Sequence, residues 1–201
     1  MDYAPIGDMN DLLRLVAERA PKDAAQAIDV DAARLARAIK HSRHTRVGFL
    51  PATPHTNVQG TAATVGRALT LLTEQLVLVL DPERTTAPRE SPVGSTAEAL
   101  FAAPLAPGLV RMVPFAPAPT GAKVESIRFL LHFAESDPEA WGQVLIDLSG
   151  CSLPGELLGV LRLVDAIVVV GTAGITTEAD LKAAAKRVPA ELAMGVLLVE
   201  G

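Results

Sequence analysis

The stretch GFLPATPHTNVQGTAATVG, residues 48–66, reads as a buried strand running through a turn into a helix. That arrangement can cradle phosphates: glycines let successive N–H groups face an anion at a helix N-terminus, a Lys reaches the outer phosphates, and a Ser or Thr binds magnesium. Here the turn holds Pro54, His55, Asn57, Val58, Gln59 and Gly60, and it has no Lys. Taking Gly60 and Thr61 as a shifted Gly-Thr pair does not supply one. Two aspartates end apolar runs further on, Asp81 after VLVL and Asp147 after QVLI. Each can hold a divalent metal or simply close a strand. The chemistry on offer is directed at phosphate and magnesium, with its principal cation missing.

The elements that would position these residues follow from apolar periodicity. TRVGFL (45–50), QLVLVLD (75–81), GLVRMVP (108–114), QVLIDL (143–148), AIVVVG (166–171) and MGVLLVE (194–200) are short runs rich in Val, Leu and Ile, as strands buried on both faces should be. Helical patterns lie between them: GTAATVGRALTLL, STAEALFAA with Ser95 and Glu98 as a capping box, VESIRFLLHFA, PGELLGVLRLV with Pro154 in its first turn, and TEADLKAAAKRV. Two more helices are expected around residues 10–19 and 29–41. Alternation of this kind predicts an α/β fold, a doubly wound and mostly parallel sheet flanked by helices. DPERTTAPRESPVG (81–94) and PFAPAPTGAK (114–123) read as loops after strand ends, the edge of such a sheet where ligands sit.

Composition narrows the classes. The 201 residues, 49% hydrophobic, can bury one substantial core. A net charge of -5 with 18 scattered Lys and Arg gives no pull toward phosphate backbones or anionic lipid, so no nucleic-acid partner is expected. The single cysteine, Cys151, excludes an internal disulfide framework and reads as a buried structural thiol. With no signal peptide evident, a cytoplasmic location is expected. The longest apolar stretch, LLGVLRLVDAIVVVGTAGI, is broken by Arg162 and Asp165, so direct membrane insertion is not expected.

Several collinear stretches resemble the bacterial tyrosine kinases of the polysaccharide co-polymerase type, within the ParA/MinD-like P-loop ATPases. The family's phosphate loop reads like S-A-T-P-G-E-G-K-S-T-x-A-A-N-L-A; Ala52, Thr53 and Pro54 match it, and Ala62 and Ala63 fall in step. VLVLDPER resembles the second acidic motif, one residue short, with Asp81 present and Glu83 and Arg84 approximating the rest. QVLIDLSG resembles V-I-I-D-x-P-P, which gives Asp147 the Walker B position. PGLVRMVPFAPAPTGAKVESIRFLLHF and RLVDAIVVVGTAGITTEADLKAA follow two further runs of the family, and DAARLARAI is similar to its E-x-x-R-x-x-R motif. The resemblance covers residues 28–201 as one globular unit, with residues 1–27 as an N-terminal helical extension.

The resemblance implies a P-loop fold and, by its departures, a decayed site. His55 and Asn57 stand where the family has glycines, Val58 replaces the lysine, Gln59 the magnesium-binding hydroxyl, and Gly60 the following Thr. Pro54, His55, Asn57, Val58, Gln59 and Gly60 are thus implied as vestigial nucleotide positions, and Asp81 and Asp147 as vestigial metal positions. The last strand ends in Val199 and Glu200 without the family's adenine-reading Asn, and the one tyrosine is Tyr3 rather than a tyrosine-rich tail. The implied function is a catalytically silent scaffolding or regulatory module in exopolysaccharide or capsule synthesis or export, with no cofactor. Asp31, Arg34 and Arg37 are the implied contact to a second copy, a catalytic paralogue or a membrane co-polymerase protein, the last giving peripheral attachment at the inner membrane. The alternative is an ATP-binding ParA/MinD-like ATPase or an active tyrosine autokinase with a non-standard loop, using ATP and magnesium.

Overall fold

The computed structural model describes residues 3–19, 29–82, 100–114, 123–151 and 153–200. Its strands are β1 (Ala4–Ile6), β2 (Arg46–Pro51), β3 (Leu76–Leu80), β4 (Leu100–Ala106), β5 (Leu109–Pro114), β6 (Trp141–Asp147), β7 (Ala166–Thr172) and β8 (Ala193–Val199). Its α-helices are α1 (Met9–Arg19), α2 (Val30–Ser42), α3 (Val58–Thr73), α4 (Lys123–Glu135), α5 (Pro154–Val160) and α6 (Glu178–Ala185). The strands form one eight-stranded sheet in the order β1-β4-β5-β3-β6-β2-β7-β8. From β5 to β8 every neighbouring pair is parallel, whereas β4 runs antiparallel to both β5 and β1. The expected mostly parallel α/β sheet is present.

Helices cover both faces, which is why the central strands can be apolar throughout. Ala32, Ala36 and Ile39 of α2 join Val58, Ala62, Val65 and Leu69 of α3 over Val47, Phe49, Val77, Val79 and Leu145. On the opposite face, Leu12 and Leu15 of α1, Ile127 and Leu130 of α4 and Leu157 of α5 pack over Leu78, Leu80, Ile146 and Ile167. Helix α3 lies close to the sheet because Gly66 has no side chain; a Cβ there would come within 2.6 Å of Leu109 Cδ1. That close seating fixes the turn feeding the helix against the C-terminal ends of β2, β3 and β6.

Two local outcomes differ from the sequence reading. STAEALFAA was expected to be helical, but Leu100–Ala106 is a strand; Ser95 and Glu98 lie outside the described residues. Tertiary context overrides helix propensity here: Leu100, Phe101, Ala102 and Ala103 are all buried, and Pro104 sits where a helix interior would not accept it. The strand returns through Pro107–Gly108, with Gly108 at φ +73, the left-handed position such a tight turn requires. The other unexpected element is β1, three residues that pair Ala4 with Ala102 and Ile6 with Leu100 ahead of the expected N-terminal helix. The apolar content of β1 is too short to show a period. Of the loops assigned to 81–94 and 114–123, residues 83–94, with Glu83 and Arg84, and residues 115–122 lie outside the described residues.

Candidate functional site

Pro51, Asp81 and Asp147 come together at the carboxyl edge of β2, β3 and β6, where a doubly wound sheet places its ligand. The chain leaves β2 with the Ala52 N–H held by the Val170 carbonyl at 2.7 Å. It then turns over Thr53, Pro54, His55 and Thr56: the Thr56 N–H donates to the Thr53 carbonyl at 3.1 Å, and the two threonine hydroxyls meet at 3.1 Å. Asn57 caps α3, its Oδ1 accepting from the Gly60 N–H at 2.9 Å, and the Val58 N–H donates to the Thr56 carbonyl at 3.0 Å.

A phosphate nest needs those N–H groups free and an alternation of right- and left-handed residues. Neither condition holds. The N–H groups of Thr56, Val58 and Gly60 already have partners inside the turn. Among the described residues, none between 51 and 60 has a positive φ; His55 and Asn57 do not adopt the left-handed conformation that the family's glycines would, and Asn57 has φ -78. Val58 is 1% exposed, its side chain in the apolar layer under α3. It therefore contributes to packing and offers no group to a ligand.

Gln59 is the informative residue. Its Nε2 amide donates to Oδ2 of Asp81, joining the position assigned to the magnesium-binding hydroxyl to the position assigned to a metal carboxylate. An amide nitrogen facing a carboxylate is a donor and cannot ligate a cation. Asp81 and Asp147 are both buried, at 2% and 3% exposure. Burial pushes the Asp147 carboxyl up to about 6 against the pull of hydrogen bonds from Ser149, including its N–H at 2.7 Å; the neighbouring Asp81 pushes the same way, and the Arg111 charge pulls down. Among the described residues there is no group of three or more His, Cys, Asp and Glu able to hold a metal. Among the described residues the turn supplies neither a lysine for the phosphates nor a hydroxyl at position 59 for magnesium.

Arg111 is a residue that the sequence reading passed over. It lies in β5, 4% exposed, with its charge felt at Asp147. An arginine inside the otherwise apolar run LVRMV was the available signal, because a cation buried in a strand needs a carboxylate near it. Beside the turn, a cavity of about 270 Å³ is lined by Asp29, Asn57, Gly60, Thr64, Val199 and Glu200, among others. Among the described residues its lining holds two acids, Asp29 and Glu200, and no basic residue.

The remaining assigned residues lie elsewhere. Asp31, Arg34 and Arg37 are all exposed on α2, and Arg34 Nη1 pairs with Asp31 Oδ1 at 3.0 Å within the helix. Cys151 is 2% exposed, and burial is the leading cause of a thiol pKa pushed up to about 11. No helix among the described residues is long and apolar enough to cross a membrane.

This architecture is that of a P-loop NTPase-like α/β fold, a mostly parallel sheet covered by helices on both faces. Within that class the fold is that of bacterial tyrosine kinase domains, as three solved structures show. The chimerical protein CapA2B2 superposes with a TM-score of 0.65 at 13% identity, over 93% of this chain and 90% of that one. The kinase domain of the Escherichia coli tyrosine kinase ETK gives 0.59 at 13% identity, over 92% and 86%. The BceF tyrosine kinase domain gives 0.56 at 16% identity, over 84% and 74%. No family model matches the sequence, and no curated protein matches it.

Proposed function

We propose that this chain is a catalytically silent module with the tyrosine-kinase-domain fold, working by association rather than by phosphoryl transfer, in exopolysaccharide or capsule synthesis or export. The observation that carries the reading is the contact of the Gln59 amide with the Asp81 carboxylate. A charge-assisted hydrogen bond of this kind contributes about 1.5–3 kcal/mol, and magnesium binding at Asp81 would have to displace it. Val58 adds no cation, and the N–H groups of Thr56, Val58 and Gly60 are bonded within the turn. Calorimetry with magnesium and ATP is the test. No heat of binding is expected; a micromolar dissociation constant that Asp147→Ala abolishes would overturn the reading and restore the alternative of an ATPase or autokinase with a non-standard loop.

The contact surface we assign is the exposed face of α2. Among the described residues the Arg37 guanidinium makes no ion pair, and Arg34 shares the carboxylate of Asp31. Both arginines can offer bidentate contacts to carboxylates on a second copy, a lysine-bearing paralogue or a co-polymerase membrane protein. Light scattering of the chain alone and mixed with such partners tests this: Arg34→Glu with Arg37→Glu is expected to dissolve the assembly, and an unchanged assembly would make this an ordinary solvated face.

A further inference from the structure

Sheets expose two edges, and proteins blunt them with charge, proline or shortness. At one edge, β1 is three residues long and contains Pro5. At the other, β8 runs seven residues, AMGVLLV, with no charged residue and no proline. Its one irregularity lies before Val196, where the pairing with β7 shifts register and Gly195 takes φ +149. Beyond that point Val196, Leu197, Leu198 and Val199 pair regularly with Val169, Val170, Gly171 and Thr172.

The direction of the unsatisfied groups follows from one bond. The Val199 carbonyl accepts from the Ala173 N–H at 2.8 Å, so Val199 and, by the period of two, Leu197 turn their backbone groups toward β7. Val196 and Leu198 therefore turn theirs outward. Their side chains lie on the face opposite Leu197 and are themselves exposed, at 52% and 47%. Helix α2 leans over the other face, leaving a groove of about 440 Å³ between Arg34, Leu35 and Ala38 and the strand residues Met194 to Leu198. A row of outward N–H and C=O groups beside a strand-wide groove calls for a strand, not a small molecule.

We propose that β8 pairs antiparallel with β8 of a second copy, continuing the sheet across a twofold axis. A second copy is the occupant chosen because the strand is self-complementary: it brings an equally uncharged, equally spaced edge, so no like charges meet, and an isologous interface closes on itself. The register centres on Leu197 facing its counterpart. Val196 then faces Leu198 of the other copy in a hydrogen-bonded pair, the two exposed aliphatic side chains covering one another on the same face. This interface runs along the β8 edge, with Asp31 and Arg34 of α2 on the rim of the adjoining groove.

The experiment uses the full chain. Sedimentation velocity over the micromolar range is expected to show a monomer–dimer equilibrium. Val196→Lys with Leu198→Lys puts ammonium groups opposite one another and is expected to weaken the dimer by about a hundredfold. Because both altered side chains are solvent-exposed, an unchanged circular dichroism spectrum should accompany the loss. Independently of folding, Val196→Cys with Leu198→Cys is expected to form an intermolecular disulfide on mild oxidation, since hydrogen-bonded antiparallel partners lie about 5.5 Å apart at Cα, within disulfide reach. The native thiol is buried and does not compete. A wild-type chain that stays monomeric, a dimer that survives the lysine pair, or the absence of the cross-link would each overturn the proposal.

Discussion

Replacing Asp147 by Asn removes a buried negative charge while keeping an oxygen for the Ser149 N–H that Oδ1 now accepts at 2.7 Å. The carboxyl titrates at 3.8 when unperturbed and at about 6 in the fold, with burial as the leading cause. Between those values folding takes up a proton, so this group's contribution to stability falls as the pH rises from about 4 to about 6 and is lowest above that. The difference is about 2 pK units, and at 1.36 kcal/mol per unit the ionised carboxylate destabilises the fold by about 3 kcal/mol at neutral pH. Asp147→Asn should therefore stabilise the protein at pH 7.5 and have little effect near pH 4. For a chain of this length the neutral-pH gain corresponds to roughly 6–12 °C in Tm. Calorimetric or dichroism melts of both proteins across pH 4–8 measure it. A Tm difference that does not change with pH, or a destabilisation at pH 7.5, would refute the burial argument and with it the picture of Asp147 as a carboxylate whose desolvation outweighs the pull of Arg111 and Ser149.

Other consequences can be checked with single substitutions. Val58→Lys should confer no ATP binding by calorimetry and should lower the Tm, because it puts an ammonium into the layer where Val58 is 1% exposed. Gln59→Ala leaves the buried Asp81 without its amide donor and should destabilise by about 1–3 kcal/mol in urea denaturation. Asp165→Ala should destabilise by a similar ~1–3 kcal/mol, since this carboxylate accepts from the Thr45 N–H, the Thr45 hydroxyl and the Arg46 N–H at 2.9–3.0 Å and so fixes the start of β2. Partial burial alone would raise the Asp165 pKa, but those bonds hold it below the ordinary value, so its contribution should be present above about pH 4 and fade in more acidic solution. Cys151 should react with an aromatic disulfide reagent only on unfolding; fast labelling of the native protein would contradict its burial.

Much of the fold was legible because burial on both faces leaves a plain mark. The runs around Val47, Val77, Val110, Leu145, Val168 and Val196 could only be strands of a sheet covered by helices, and each is one. Pro154 in a first turn was a local signal read with a local rule, whereas Asn57 as the cap of α3 emerged only in the structure. The absence of lysine from residues 48–66 was likewise a statement of composition and needed no coordinates. What the sequence could not give was anything that depends on which distant residues become neighbours. Leu100–Ala106 has helix-forming residues at its start, and only the exposed edge of β5, reached through Pro107–Gly108, made it a strand. Gln59 and Asp81 are far apart in the chain, and their contact exists because Gly66 lets α3 seat close to the sheet and bring its first turn over the end of β3. The partner of a side chain, the charge on a buried carboxylate and the edge left open at β8 are properties of packing. Short-range preference fixes the elements, while desolvation and close approach, which act through space rather than along the chain, decide what those elements can do.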